Sequence, residues 1–105
     1  MNYQDLLKRT CDLALEFLGG LSERPVGRPV SYAGMLASLG GALPEQGEDA
    51  LRVIESLAEV ADPGLVATPG PRYFGFVIGG AYPVSVAAEW LAAAWDQNAG
   101  AYVLS

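Results

Sequence analysis

The sequence predicts a mainly α-helical chain of about four helices, with a glycine- and proline-rich loop at residues 63–81. Three observations predict it. Apolar residues recur at three- and four-residue intervals in four separate stretches, which is the spacing of one helix face. The stretches are punctuated by residues that start or stop helices: Asn2, Gly19-Gly20, Ser31, Gly40-Gly41, Asp62-Pro63-Gly64 and Pro83. Between the third and fourth stretches, breakers are too dense for regular structure.

The first helix covers residues 2–18. Tyr3, Leu6, Leu7, Thr10, Cys11, Ala14, Phe17 and Leu18 recur helically, with Leu13 and Leu15 partly off that face. Asn2 suits the cap and Asp5 the first turn. Apolar residues occupy more than half the circumference, so this helix is expected to make contacts on two sides. Residues 21–30 form an extended connector around Pro25 and Pro29. Ser31 caps a short helix at about 32–39, with Met35, Leu36 and Leu39 on one side. A third helix is expected at about 48–61, with the stripe Ala50, Leu51, Ile54, Leu57, Ala58 and Ala61, and with Glu48 and Arg52 spaced as an ion pair. Residues 73–78 read as locally extended. Pro83 suits the first turn of the last helix, which ends near Asp96. Alanines at 87, 88 and 92–94 leave room for another helix, and 102–104 also read as extended.

Length and composition narrow the function. A chain of 105 residues makes one small domain. A hydrophobic share of 51%, arranged in separate stripes, points to faces meant for a partner. The net charge of −6 and the absence of histidine argue against nucleic acid and against an anionic membrane surface. Cys11 is the only cysteine, so it forms no internal disulfide and no Cys/His metal set, and it is expected to be a buried, inert thiol. Reducing, cytoplasmic conditions fit. Asp5, Lys8, Arg9 and Asp12 interrupt any signal-peptide core, and the most apolar run, 84–94, is too short to span a bilayer.

The residues alone carry little chemistry. Glu48 and Asp49 are adjacent and read as a solvated helix start. The serines have no histidine, and there is no G-x-S-x-G. The glycines at 75, 79 and 80 lack the lysine of a phosphate loop and suit close backbone packing. Arg72, among Pro71 and three aromatics, either satisfies carbonyls of its own loop or serves a ligand or interface. Asp96 at a helix C-terminus opposes the macrodipole, so something other than that field holds it there.

Taken together, several pieces resemble the N-terminal part of the group II pyridoxal-phosphate-dependent amino-acid decarboxylases, the family of the aromatic-amino-acid, histidine and glutamate decarboxylases. The pieces are Pro63-Gly64-Leu65, Gly70-Pro71-Arg72-Tyr73-Phe74-Gly75-Phe76, Gly79-Gly80, Ala88-Glu89-Trp90-Leu91 and Asp96-Gln97-Asn98. Arg28-Pro29-Val30 and Leu43-Pro44-Glu45 extend the likeness over nearly the whole chain. Gly70-Pro71 stands where many relatives have His-Pro.

The resemblance implies a segment of a fold-type I enzyme: a helical arm at 1–62, then a pocket loop and following helix at 63–105. It implies a homodimer whose N-terminal helices wrap over the partner, pyridoxal 5′-phosphate as cofactor, and an amino acid as substrate. The loop of Phe76, Val77, Ile78, Gly79 and Gly80 would line the substrate pocket. Phe76 and Ile78 would shape its side-chain end, and Gln97 and Asn98 would reach the neighbouring subunit's site. The family's chemistry needs a Schiff-base lysine, an aspartate at the pyridinium nitrogen and a histidine over the ring. Here Lys8 is the only lysine and lies in no matching motif. The chain is therefore expected to be a detached N-terminal segment, without the cofactor-binding α/β domain, and inactive alone. The alternative is a stand-alone helical homo-oligomerisation module.

Overall fold

The computed structural model describes residues 2–104. The element order is α1 (Tyr3–Gly19), α2 (Tyr32–Leu39), α3 (Ala50–Ala61), a 3-10 turn (Asp62–Gly64), α4 (Pro83–Trp95) and a 3-10 turn (Tyr102–Leu104). The described residues form no strand, so the mainly α expectation stands.

α1, α2 and α3 each begin where a side chain replaces the missing backbone acceptor, whereas α4 begins at Pro83 with no side-chain cap. Asn2 Oδ1 accepts from the N–H of Gln4 at 2.9 Å, and Asn2 Nδ2 donates to Asp5 Oδ2 at 3.0 Å. Ser31 Oγ accepts from Gly34 N at 3.0 Å. Asp49 Oδ2 accepts from Arg52 N at 3.3 Å, which moves the start of α3 to Ala50. Glu48 thus precedes the cap and lies off the helix, so the expected Glu48–Arg52 pair does not form. A Cβ on Gly40 would lie 2.5 Å from the carbonyl oxygen of Leu36. The Gly40 N–H donates to that same oxygen at 2.7 Å, so only glycine closes α2 this tightly. Asp62-Pro63-Gly64 tightens the end of α3 into a 3-10 turn, where the sequence suggested a sharp stop.

α1 and α2 both pack on α3. The inward face of α1 is Leu6, Thr10, Leu13 and Phe17, so Leu13 lies inside although the sequence pattern placed it partly off the face. Arg9 Nε holds Glu55 Oε1 at 3.0 Å across the α1–α3 pair. Met35 of α2 lies against Gly64.

The connector is fixed by charge. Arg24 Nη1 donates to Asp62 Oδ1 at 3.0 Å and Arg28 Nη1 to Asp62 Oδ2 at 3.1 Å. Both arginines also donate to the Asp62 carbonyl. The Arg24 guanidinium stacks 4.8 Å from the Phe17 ring centroid, so one side chain joins α1, the connector and the end of α3. The N–H of Ala67 then donates to Val26 O at 2.8 Å. Ala67, 1% exposed, is the only buried apolar residue among those described.

Little else is enclosed. The accessible surface is 8737 Å², whereas a compact monomer of 11.0 kDa shows about 5,600 Å². The radius of gyration is 16.8 Å, against about 13 Å for a compact chain of this length. α4 is the most open helix: of its residues, Val86 alone is half-buried.

Candidate functional site

The loop before α4 is anchored at its base and free at its tip. Arg72 Nη2 donates to the Arg24 carbonyl, and Gly70 N donates to Ala67 O at 3.0 Å. Of the two roles open to Arg72, the structure thus provides the structural one, with the satisfied carbonyl on the connector rather than in its own loop. The Tyr73 side chain folds back over Gly75, where a Cβ would meet its hydroxyl at 2.6 Å. Phe76 then takes a left-handed backbone, φ 55°. This turn at 76–77 replaces the extended conformation expected for 73–78, because a left-handed residue reverses the chain.

As a result, Phe76 and Val77 are 94% and 105% exposed. Ile78 is half-exposed, Gly79 stands in open space, and Gly80 lies against Pro69. No charged residue lies between Arg72 and Glu89, so the tip and the start of α4 form a continuous uncharged surface.

The other two candidate residues follow α4. Asp96 adopts φ 47° and ψ 50° and donates its N–H to Ala92 O. It is the left-handed residue that ends the helix, a position aspartate tolerates better than most side chains. That conformational role accounts for an acid placed against the macrodipole. Gln97 Nε2 donates to Trp95 O at 2.8 Å, and Asn98 is exposed. The expected extended run at 102–104 is a 3-10 turn.

The structure does not bring the two halves of the candidate site together. Phe76–Gly80 precede α4, and Gln97 and Asn98 follow it. α4 has 13 residues, so its two ends, from which the two groups leave, lie about 20 Å apart.

Two features escaped the sequence reading. The Arg24–Asp62–Arg28 cluster joins residues 38 and 34 positions apart, and no local pattern announces it. The second is a groove of about 530 Å³ between α1 and α4, lined by residues including Cys11, Leu15, Leu18, Val86, Trp90 and Leu91. Its lining is almost wholly apolar. The signal for it was the width of the apolar face of α1. Cys11 is exposed there rather than buried as expected, because α3 covers the other face of α1.

No group of three or more metal-ligating side chains occurs among the described residues, and none of their helices is long and apolar enough to cross a membrane. The donors present do not fit pyridoxal phosphate. Lys8 is exposed on α1, histidine is absent, and no polar or charged residue is buried among those described. No family model, no curated protein and no solved structure matches this chain.

Proposed function

We propose that this chain acts as the dimerising N-terminal part of a pyridoxal-phosphate-dependent amino-acid decarboxylase, giving pocket walls to two active sites. The observation that carries the reading is the separation across α4. Groups leaving the opposite ends of one helix about 20 Å long serve two different pockets more readily than one. On this reading Phe76, Val77, Ile78, Gly79 and Gly80 form a wall beside one substrate, and Gln97 and Asn98 approach the substrate held by the other subunit. The left-handed backbone at Phe76 supports it, since strain of this kind is kept where a side chain must be presented. The exposed surface supports it too, because a chain with so little core gains stability from what covers it.

The cofactor's imine, ring and phosphate contacts belong to other residues than these. The chain's own contribution is shape: an uncharged loop that excludes water from one side of a substrate, and two amides at the far end of α4 that can hydrogen-bond across a subunit boundary.

The test mixes the 105-residue chain with a group II decarboxylase lacking its own N-terminal segment. Restored decarboxylation, lost again with Phe76→Asp, is the expected result. If the mixture stays inactive while the chain is folded and dimeric, the decarboxylase reading falls. The second reading, a stand-alone homo-oligomerisation module, then stands. It is favoured by the same open surface and needs no cofactor.

A further inference from the structure

We infer that α4 is a hinged arm. It pivots on residues 74–81 and closes the groove onto α1 of its own chain, hiding the apolar stripe of α1 from any other partner. The inference goes beyond both functional readings and needs neither of them.

The hinge is a stretch without hydrogen bonds. Upstream of it, Arg72 Nη2 donates to the Arg24 carbonyl, and Tyr73 N donates to Gly70 O at 3.5 Å. Downstream, Ser85 N donates to Tyr82 O at 2.9 Å. Among the described residues, none from 74 to 81 donates or accepts a hydrogen bond. Gly75, Gly79 and Gly80 fall within this stretch, and a Cβ on Gly79 would meet nothing within 4 Å. A glycine in open space, with no bond to hold it, rotates at little cost. A segment with no hydrogen bonds to break opens at the low end of a protein's local stabilities.

The arm faces a seat that matches it. Cys11, Leu15 and Leu18 of α1 are spaced by four and seven residues, and Val86 and Trp90 of α4 by four, so each set lies on one side of its helix. These two apolar stripes line the same groove of about 530 Å³. Helices packed through such stripes have axes about 8–10 Å apart and leave no groove between them. α1 and α2 pack on α3 in that manner, whereas α1 and α4 face one another with Leu15 still 60% and Leu91 50% exposed. Glu89, the one charged residue of α4, takes no part in the lining, and neither do Lys8, Asp12 and Glu16 of α1. Closure therefore covers apolar surface and buries no charge.

The consequence is regulatory. A partner that takes the stripe of Leu15 and Leu18 must first displace α4, so the arm is an autoinhibitory contact. Its swing also carries the residues that follow α4, because they leave from the end opposite the hinge.

The chain carries the probes for a test. Both of its tryptophans, Trp90 and Trp95, lie on α4, and Cys11 is its only thiol. A thiol quenches a tryptophan triplet state at contact, and hinge motions occupy about microseconds to milliseconds. The measurement is the triplet lifetime of Trp90 in the full chain carrying Trp95→Phe, in deoxygenated buffer, beside the same chain with Cys11→Ser added. The expected lifetime is severalfold shorter with the thiol present and unchanged on tenfold dilution. Gly79→Ala with Gly80→Ala should lengthen it by stiffening the hinge, with helical circular dichroism kept, since the added Cβ atoms meet nothing closer than 3.5 Å. Equal lifetimes with and without the thiol overturn the closure. Quenching that fades on dilution assigns the contact to two chains and overturns the arm. Quenching that ignores the glycine variants makes the groove a fixed wall and overturns the hinge.

Discussion

Removing the Asp62 carboxylate should loosen the whole three-helix arrangement. Asp62 is where Arg24 and Arg28 converge, at 3.0 and 3.1 Å. The two pairs are unequal. The Arg28 side chain is 35% exposed and the Arg24 side chain only 12%. An exposed pair contributes about 0.5 kcal/mol. A charged hydrogen bond to a largely enclosed guanidinium contributes about 1.5–3 kcal/mol, and part of that is the cost of leaving the cation unpartnered. The Nε of Arg24 already has no partner, so Asp62→Ala leaves the guanidinium only the Asp62 backbone carbonyl and the Phe17 ring among the contacts described. Asp62 is itself 44% exposed, which favours the lower end, about 2–2.5 kcal/mol in total. Urea unfolding followed by far-ultraviolet circular dichroism, at one fixed protein concentration, measures it. Double-mutant cycles against Arg24→Ala and Arg28→Ala apportion it. The expected coupling is larger for Arg24. A coupling energy near zero for Arg24, or one below that of Arg28, refutes the reasoning.

Other perturbations separate local from tertiary effects. Gly40→Ala places a Cβ 2.5 Å from the Leu36 carbonyl oxygen; it should open the end of α2 and lower the thermal midpoint, by about 4–8 °C for each kcal/mol lost. Asp49→Ala should cost about 1 kcal/mol of stability by removing the α3 cap, while Glu48→Ala leaves the urea midpoint unchanged within error. Equal losses would place the cap elsewhere. Phe76→Gly relieves the left-handed backbone and should leave stability unchanged or raise it by up to about 1 kcal/mol. In the complementation assay the same variant should lower activity, and unchanged activity would remove Phe76 from the pocket wall.

The helices were legible because their causes are short-range. Asn2, Ser31 and Pro83 act on backbone groups within one turn, and apolar spacing is read over a dozen residues. α2 lies where the pattern put it, and α1 and α4 differ only at their terminal residues. The difference at α3 is instructive. Glu48 and Asp49 both suit a helix start, and only the backbone conformation at Asp49, ψ 127°, decides which one caps it. The loop was less legible for a related reason. Aromatic and β-branched residues at 73–78 favour extended backbone, but Tyr73 closing over Gly75 turns the chain at Phe76. The candidate site was legible as two groups of residues on either side of the helix predicted from Pro83 to near Asp96, and α4 keeps that order over 13 residues. The exposure of Phe76 and Val77 at a turn follows only from the fold.

By itself, then, the sequence determined the number and approximate limits of the helices, a residue set with one cysteine and no histidine, and the unusual width of the apolar face on α1. The tertiary structure decided how that width is divided: Leu13 and Phe17 toward α3, Tyr3, Leu7 and Leu15 outward. It also decided that Arg24 and Arg28 meet Asp62, and that Arg72 secures the loop from the connector. The physical reason is one of range. Periodicity and capping are properties of neighbouring residues. Which apolar stripe is covered, and which charge finds a partner 38 residues away, depends on how the helices lie against one another.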